Sequence, residues 1–291
     1  MFDGVHLGHA RVVSSSIESA RKDGGLAVVL TFPNHPSQLL RPESPTPLIM
    51  SPETKAANLL ELGTDHVVLQ EFDLAFSEIG AAAFVSRLKE MVPSLQSLQV
   101  GKNFRFGRGR SGDVALLAST AADQGMEVQV SDPVQFEGEP ISSSRIREAL
   151  AQGDILAANN MLGRCYEAAG EVRKGDGRGV DLGFPTLNLP WHPGAPPRHG
   201  VYAVELTARE SGQSWPGVAN YGVRPTFEKD DDSPLLETHL LADAQLAPGN
   251  LIGVSLQAFL RDERKFESAE ALREQIARDK ASARQALGLS A

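Results

Sequence analysis

The first ten residues, MFDGVHLGHA, set two histidines three positions apart around a glycine. Phe2-Asp3-Gly4 reads as a turn, and His6-Leu7-Gly8-His9 as the start of a helix. Gly8 removes a side chain where a phosphate would have to approach backbone, and helix N-terminal amides then face the anion. Histidines in that position can donate hydrogen bonds to phosphate oxygens. A second segment, from Val100 to Arg110, carries Lys102, Arg105, Arg108 and Arg110 among Gly, Phe and Asn103. Four cations in eleven residues of an acidic chain have the composition of an anion site. A third is Ile141-Ser142-Ser143-Ser144-Arg145-Ile146-Arg147. Its serines suit a helix cap and their hydroxyls can ligate phosphate, while Arg147 can grip a transferring phosphoryl group with two parallel hydrogen bonds. Taken singly, these segments also read as a surface histidine pair, a solvated loop and a plain capped helix.

The second half of the chain holds another set. Gly170 to Gly179 is a glycine-rich run that includes Gly175 and Gly177, and alone it is no more than a hairpin signal. Gly183-Phe184-Pro185-Thr186-Leu187-Asn188 follows. Thr186 and Asn188 lie two apart, so on extended chain they project to one side. Their neutral oxygens suit a hard Mg²⁺ ion carrying ATP phosphates, although a capped turn has the same residues. Further on stand Asn220-Tyr221-Gly222-Val223-Arg224-Pro225-Thr226-Phe227 and Glu237-Thr238-His239-Leu240-Leu241. On a strand, Glu237 and His239 share a face.

Two different scaffolds must position these residues. From residue 8 to about 130, short apolar runs such as Ala27 to Phe32 alternate with helical patterns. That alternation implies a parallel sheet covered by helices on both faces. Ser51-Pro52 marks one helix start, as cap and first helical residue. Helices at 142–151 and 154–162 follow. After them come strand-like runs at 167–174, 200–208, 216–223, 235–241 and 251–260, punctuated by Gly, Pro and Asn. These suggest a small antiparallel barrel, closed by a charged helix at about 268–288. We place the domain boundary at 163/164.

The chain has 291 residues, comfortable for two domains. Apolar residues make up 41% and charged residues 22%, ordinary globular values. A net charge of −9 argues against general attraction to nucleic acid. No apolar run approaches the roughly 20 residues of a membrane helix. A single cysteine, Cys165, rules out a disulfide framework. A cytoplasmic enzyme or binding protein fits these values, and oligomeric state is open.

Together the motifs resemble the bacterial bifunctional riboflavin kinase/FAD synthetase family. In the first domain the matching elements are 2–9, Thr31-Phe32-Pro33-Asn34-His35-Pro36, 101–107 and 141–147. In the second they are 183–188, 220–227, 237–241, Arg261 and Lys265-Phe266. The likeness implies a Rossmann-like nucleotidyltransferase domain (1–163) followed by a riboflavin kinase barrel (164–291). It implies ATP-dependent phosphorylation of riboflavin to FMN, then adenylyl transfer from ATP to FMN, giving FAD and pyrophosphate. By the same likeness His6, His9 and Gly8 hold ATP phosphates. Ser142, Ser143 and Arg147 act at the transferring group, and Asn103 and Arg105 lie near the flavin phosphate or the nucleotide. Glu237 is the kinase base, Thr186 and Asn188 hold Mg²⁺, and Gly175, Gly177, Asn220 and Arg261 line the kinase site.

The two chemistries ask for different residues. A phosphate monoester is already anionic near neutral pH, with a second pKa of about 6, so adenylyl transfer needs alignment and charge stabilisation. A ribityl hydroxyl is a poor nucleophile, and a positioned carboxylate that takes its proton contributes roughly 10²–10⁴-fold. The family has a strand and a glycine before Phe-Asp-Gly-Val-His that this sequence lacks. We expect a true start upstream, or else a first domain that packs poorly and transfers adenylyl weakly. Lys174, Val180 and Leu251-Ile252 also depart from the family pattern. The alternatives are a riboflavin kinase with an inactive first domain and a flavin-binding protein that catalyses neither step.

Overall fold

The computed structural model describes residues 1–174, 183–223 and 234–290. Contacts divide the chain into two compact units, Met1–Ser143 and Ser144–Ala291. The family of helices and strands in the first unit runs α1 (Leu7–Lys22), β1 (Val28–Thr31), α2 (Ser37–Leu40), α3 (Pro52–Glu61), β2 (His66–Leu69), α4 (Leu74–Ser77), α5 (Ala81–Met91), β3 (Ser97–Gly101), α6 (Val114–Ala122), β4 (Glu127–Ser131) and the short pair β5 (Gln135–Phe136) and β6 (Glu139–Pro140). Local chemistry sets most of these limits. Ser51 caps α3 by accepting from Thr54 N, with Pro52 at its first turn; Asp113 caps α6 in the same way. α5 starts at Ala81, after α4, because Gly80 is extended and serves as its cap.

The expected parallel pairing is present, and it occurs in two ribbons. Val28–Thr31 pairs with His66–Leu69, and Ser97–Gly101 with Glu127–Ser131. Each ribbon has its own core. Val5, Val13, Val29 and Leu59 join α1, α3 and β1. Val85, Val100, Phe106, Leu117 and Met126 join α5, α6, β3 and β4. Among the described residues, no strand pairing links the ribbons. The segment between residues 33 and 51 includes the single turn α2.

The second unit opens with α7, which starts at the boundary (Ser143–Gln152), and α8 (Ile155–Leu162). Its strands are β7 (Tyr166–Glu171), β8 (Leu187–Pro190), β9 (Gly200–Ala208), β10 (Ser214–Val223), β11 (Pro234–Leu240) and β12 (Leu251–Arg261), followed by α9 (Ala269–Ala286). The antiparallel order is β7-β12-β9-β10-β11-β8. Arg173 N donates to Asn188 O at 2.8 Å, which draws the two outer strands together and nearly closes the barrel. Closure in this way removes sheet edges. The interior takes one side chain in two: Leu189, Leu236 and Tyr221 stand opposite one another on three neighbouring strands and are all buried. The other face of β9 and β10 packs Val201, Ala203 and Val218 with Ala283 of α9.

Leu236 is fully buried at the centre of this barrel row. Leu236→Ala is expected to cost about 2–5 kcal/mol, seen as a lower urea midpoint for the second unit.

Candidate active sites

In the first unit, His6 is the cap of α1, a role that a list of Ser, Thr, Asp and Asn does not anticipate. His9 N donates to His6 Nδ1 at 3.2 Å, so the neutral imidazole carries its proton on Nε2. The two rings stack at 3.6 Å between centroids, and Phe2 lies 5.1 Å from His9. Gly8 has a steric reason here: a Cβ at that position would sit 3.1 Å from the His6 ring. The preceding turn is strained. Gly4 has φ 82° and Val5 has φ 37°, a region β-branched residues rarely enter. Burial of the Val5 side chain in the α1–α3 core holds it there.

Asp3 anchors that turn. Its carboxylate accepts from Ile49 N at 3.1 and 3.2 Å, and Ser143 Oγ donates to Asp3 O at 2.9 Å. Thus the start of the serine run meets the Phe-Asp-Gly turn, residues 140 positions apart. Ser142 precedes α7, and Arg147 lies one turn into it. Lys55 is fully buried, and its Nζ donates to Phe32 O at 2.5 Å. Burial pushes its ammonium below the ordinary lysine value, and Asp3 partly restores it. Neither Asp3 nor Lys55 is singled out by the sequence pattern; a lysine on an amphipathic helix normally reads as surface.

The basic loop forms a separate cleft of about 360 Å³ lined by Lys102, Asn103, Phe104, Arg105, Arg110 and Asp113. Its cations have acidic neighbours: Arg105 lies 3.7 Å from Asp113, Lys102 3.6 Å from Asp132, and Arg108 3.2 Å from Glu78. These are exposed pairs that salt screens. Gly107 has φ 72°, and a Cβ there would lie 2.6 Å from the Ala81 backbone, so this glycine sets how closely the loop approaches α5.

In the second unit, Asn188, Glu237 and Asn220 stand directly opposite one another on β8, β11 and β10. Opposed residues of antiparallel strands hold Cβ atoms about 4.5–5.5 Å apart. Asn188 is buried and Thr186, just before β8, is exposed. His239 Nδ1 donates to Pro185 O at 2.9 Å, and its ring meets Phe184 edge-on at 5.5 Å. His239 is therefore a brace for the segment that ends in Thr186. Burial pushes its imidazole below the ordinary 6.5; the Pro185 bond opposes this, and Lys280 adds to it.

Arg261, expected at the ligand, has its guanidinium on Asp279: Nε donates to Oδ1 at 2.9 Å and Nη2 to Oδ2 at 2.7 Å. Its Nη1 donates to Asp262 O. This makes it a clamp between the end of β12 and α9. Glu263, absent from the sequence reading, accepts from Asn220 Nδ2 at 2.9 Å. The Arg261 to Phe266 motif contained it, without a residue type to mark it out. Gly175, Gly177 and Arg224 to Phe227 lie outside the described residues.

A family model described as FAD synthetase matches residues 1–145, and one described as riboflavin kinase matches 162–287. The Escherichia coli K12 bifunctional riboflavin kinase/FMN adenylyltransferase is 36% identical, covering 99% of this chain and 91% of its own. The chain belongs to this bifunctional family. The Bacillus subtilis relative of the same description is 34% identical, over 97% of this chain and 89% of its own. A solved Streptococcus pneumoniae structure, described as a macrolide-efflux protein, is 28% identical with a TM-score of 0.87, covering 97% of this chain and 91% of that one. Among the described residues of the present family member, no helix is long and apolar enough to cross a membrane.

Gly107→Ala is expected to destabilise the first unit by more than about 1 kcal/mol and displace the basic loop from α5, read by loss of FAD formation with FMN formation retained. The lowered His239 value has a defined sign. The unfolded chain takes up this proton near pH 6.5, before the folded chain does. The stability contribution is whole above that value and is lost as pH falls through the folded value. His239→Asn, which does not titrate, should flatten that part of the acid-side decline in denaturation measured at stepped pH.

Proposed function

We infer that this chain makes FMN and then FAD: its C-terminal domain phosphorylates riboflavin with ATP, and its N-terminal domain adenylylates FMN. The observation that carries the kinase reading is the Asn188–Glu237–Asn220 row, which places a carboxylate between two amides on one face of the barrel. Glu237 takes the proton of the ribityl hydroxyl as its oxygen bonds to the γ-phosphorus of ATP and the bond to the β-phosphate oxygen breaks. We assign residues 164–291 to this kinase domain and 1–163 to the adenylyltransferase, with residence in the cytoplasm.

Thr186 and Asn188 fit Mg²⁺ by donor type, since both offer neutral oxygens and Glu237 stands beside Asn188. When bound, the ion neutralises phosphate charge on ATP. In the adenylyltransferase domain the FMN phosphate attacks the α-phosphorus of ATP and pyrophosphate leaves. His6 offers an Nε2 proton, Ser142 offers a hydroxyl, and Arg147 offers a planar fork of donors to the phosphates, while Ser143, which gives its proton to Asp3 O, holds its helix start at the Phe-Asp-Gly turn. Gly8 keeps His6 in place, and Asn103 and Arg105 take the flavin phosphate or nucleotide. The matches to both family models favour this reading over a kinase with an inert first domain, and an aligned carboxylate favours it over a flavin binder.

The test supplies the whole chain with riboflavin, Mg²⁺ and ATP and separates flavins by chromatography. FMN followed by FAD is expected. Glu237→Gln should lower FMN formation by roughly 10²–10⁴-fold while FMN supplied directly still becomes FAD. Unchanged riboflavin phosphorylation in Glu237→Gln would remove Glu237 from its assigned role.

A further inference from the structure

We propose that Glu263 is a positioning residue of the kinase site, which orients the Asn220 amide beside Glu237 for the polyol of the substrate. The inference rests on the kinase reading above and goes beyond it. A carboxylate accepts hydrogen bonds and an amide has one donating and one accepting end. The 2.9 Å bond from Asn220 Nδ2 to Glu263 Oε1 therefore fixes which end of the amide faces Glu263. Oδ1 is the end left to receive a hydroxyl. Asn220 is opposite Glu237 in the register, so a polyol whose reacting hydroxyl gives its proton to Glu237 can place a neighbouring hydroxyl on Asn220.

Two further features are built around Glu263. The first is its seat. Gly222 is two residues beyond Asn220 on β10, so both point to the same face. A Cβ at Gly222 would fall 2.1 Å from Glu263 Oε1 and 2.5 Å from its carboxyl carbon. The missing side chain makes room for the carboxylate. The second is its mounting. On one side Arg261 is clamped to Asp279 of α9 through both oxygens. On the other, Arg264 bonds to Gln275 of α9 and lies 4.7 Å from the centre of the Phe266 ring. Gln275 Nε2 in turn donates to Asp279 Oδ1 at 2.7 Å. The four-residue span Arg261–Arg264 that carries Glu263 is therefore tied to one helix at both ends.

Gly222 supplies a way to move the carboxylate without deleting it. Its backbone is outside the left-handed region, so alanine is compatible with the strand, and the group it would strike is the end of a flexible side chain. Gly222→Ala should push Glu263 off Asn220 and leave the fold intact. The experiment measures kcat and KM for riboflavin in the whole chain with Mg-ATP, for Glu263→Ala, Glu263→Gln, Gly222→Ala, Asn220→Ala and the Asn220→Ala/Glu263→Ala double variant. FMN-to-FAD conversion in the same preparations monitors the first unit, and thermal melts monitor the second.

Glu263→Ala and Gly222→Ala are each expected to lower kcat by about tenfold or more. Glu263→Gln, whose side-chain carbonyl still accepts, should keep most of the activity. The double variant should be no slower than Asn220→Ala alone, because both changes remove one interaction. A purely structural role predicts instead that the losses multiply and follow the melting temperature. Multiplying losses overturn the proposal, and so does wild-type kcat in Gly222→Ala, which keeps the test open if Glu263→Ala does not fold. If the unmodified chain phosphorylates no riboflavin, the kinase reading itself fails and takes this proposal with it.

Discussion

The register of three antiparallel strands is the constraint on which the proposed kinase site depends. Leu189, Leu236 and Tyr221 form one row across β8, β11 and β10, and all three are buried. The adjacent row, facing the opposite way, is Asn188, Glu237 and Asn220. A slip of one residue on any strand would turn its apolar side chain outward and its polar one into the core. The same hydrophobic burial that stabilises the barrel therefore aligns the carboxylate with the two amides. The backbone bond between Arg173 and Asn188 extends this control, since it holds the chain just past β7 against the strand that bears Asn188.

A second tier of contacts supports that row. His239 holds the Pro185 carbonyl, just before Thr186, and Glu263 holds the Asn220 amide. Helix α9 ties down the segment carrying Glu263 through Asp279 and Gln275. Both polar side chains on that helix are buried, where an unpaired group would be costly. Their bonding to Arg261 and Arg264 meets that cost and fixes the loop at the same time.

The first unit solves its problem with backbone strain. Val5 takes a φ of 37° because its side chain is buried in the core between α1 and α3. Asp3 then bonds the backbone of Ile49, and Ser143 bonds the backbone of Asp3. A turn, a loop and a distant helix start are joined through one buried aspartate. The histidines follow from this turn, with His6 capping α1 and stacking on His9.

The sequence by itself determined the element types, the two-part organisation and the motif residues. Apolar runs of the right length, Ser51-Pro52 at a helix start and the alternation of β11 are local signals, carried by neighbouring residues and backbone preference. The family was legible in the same way, because short motifs such as residues 2–9, 183–188 and 237–241 carry the resemblance that both family models bear out. Only the tertiary structure decided how distant segments meet. The parallel strands of the first unit pair as two ribbons with separate cores. Arg261 meets Asp279 of α9 across 18 positions of chain. Lys55 is buried, and Glu263 finds Asn220 across 43 positions of chain. Those partners depend on packing between elements far apart in sequence, and neither local propensity nor residue spacing encodes the distance between them.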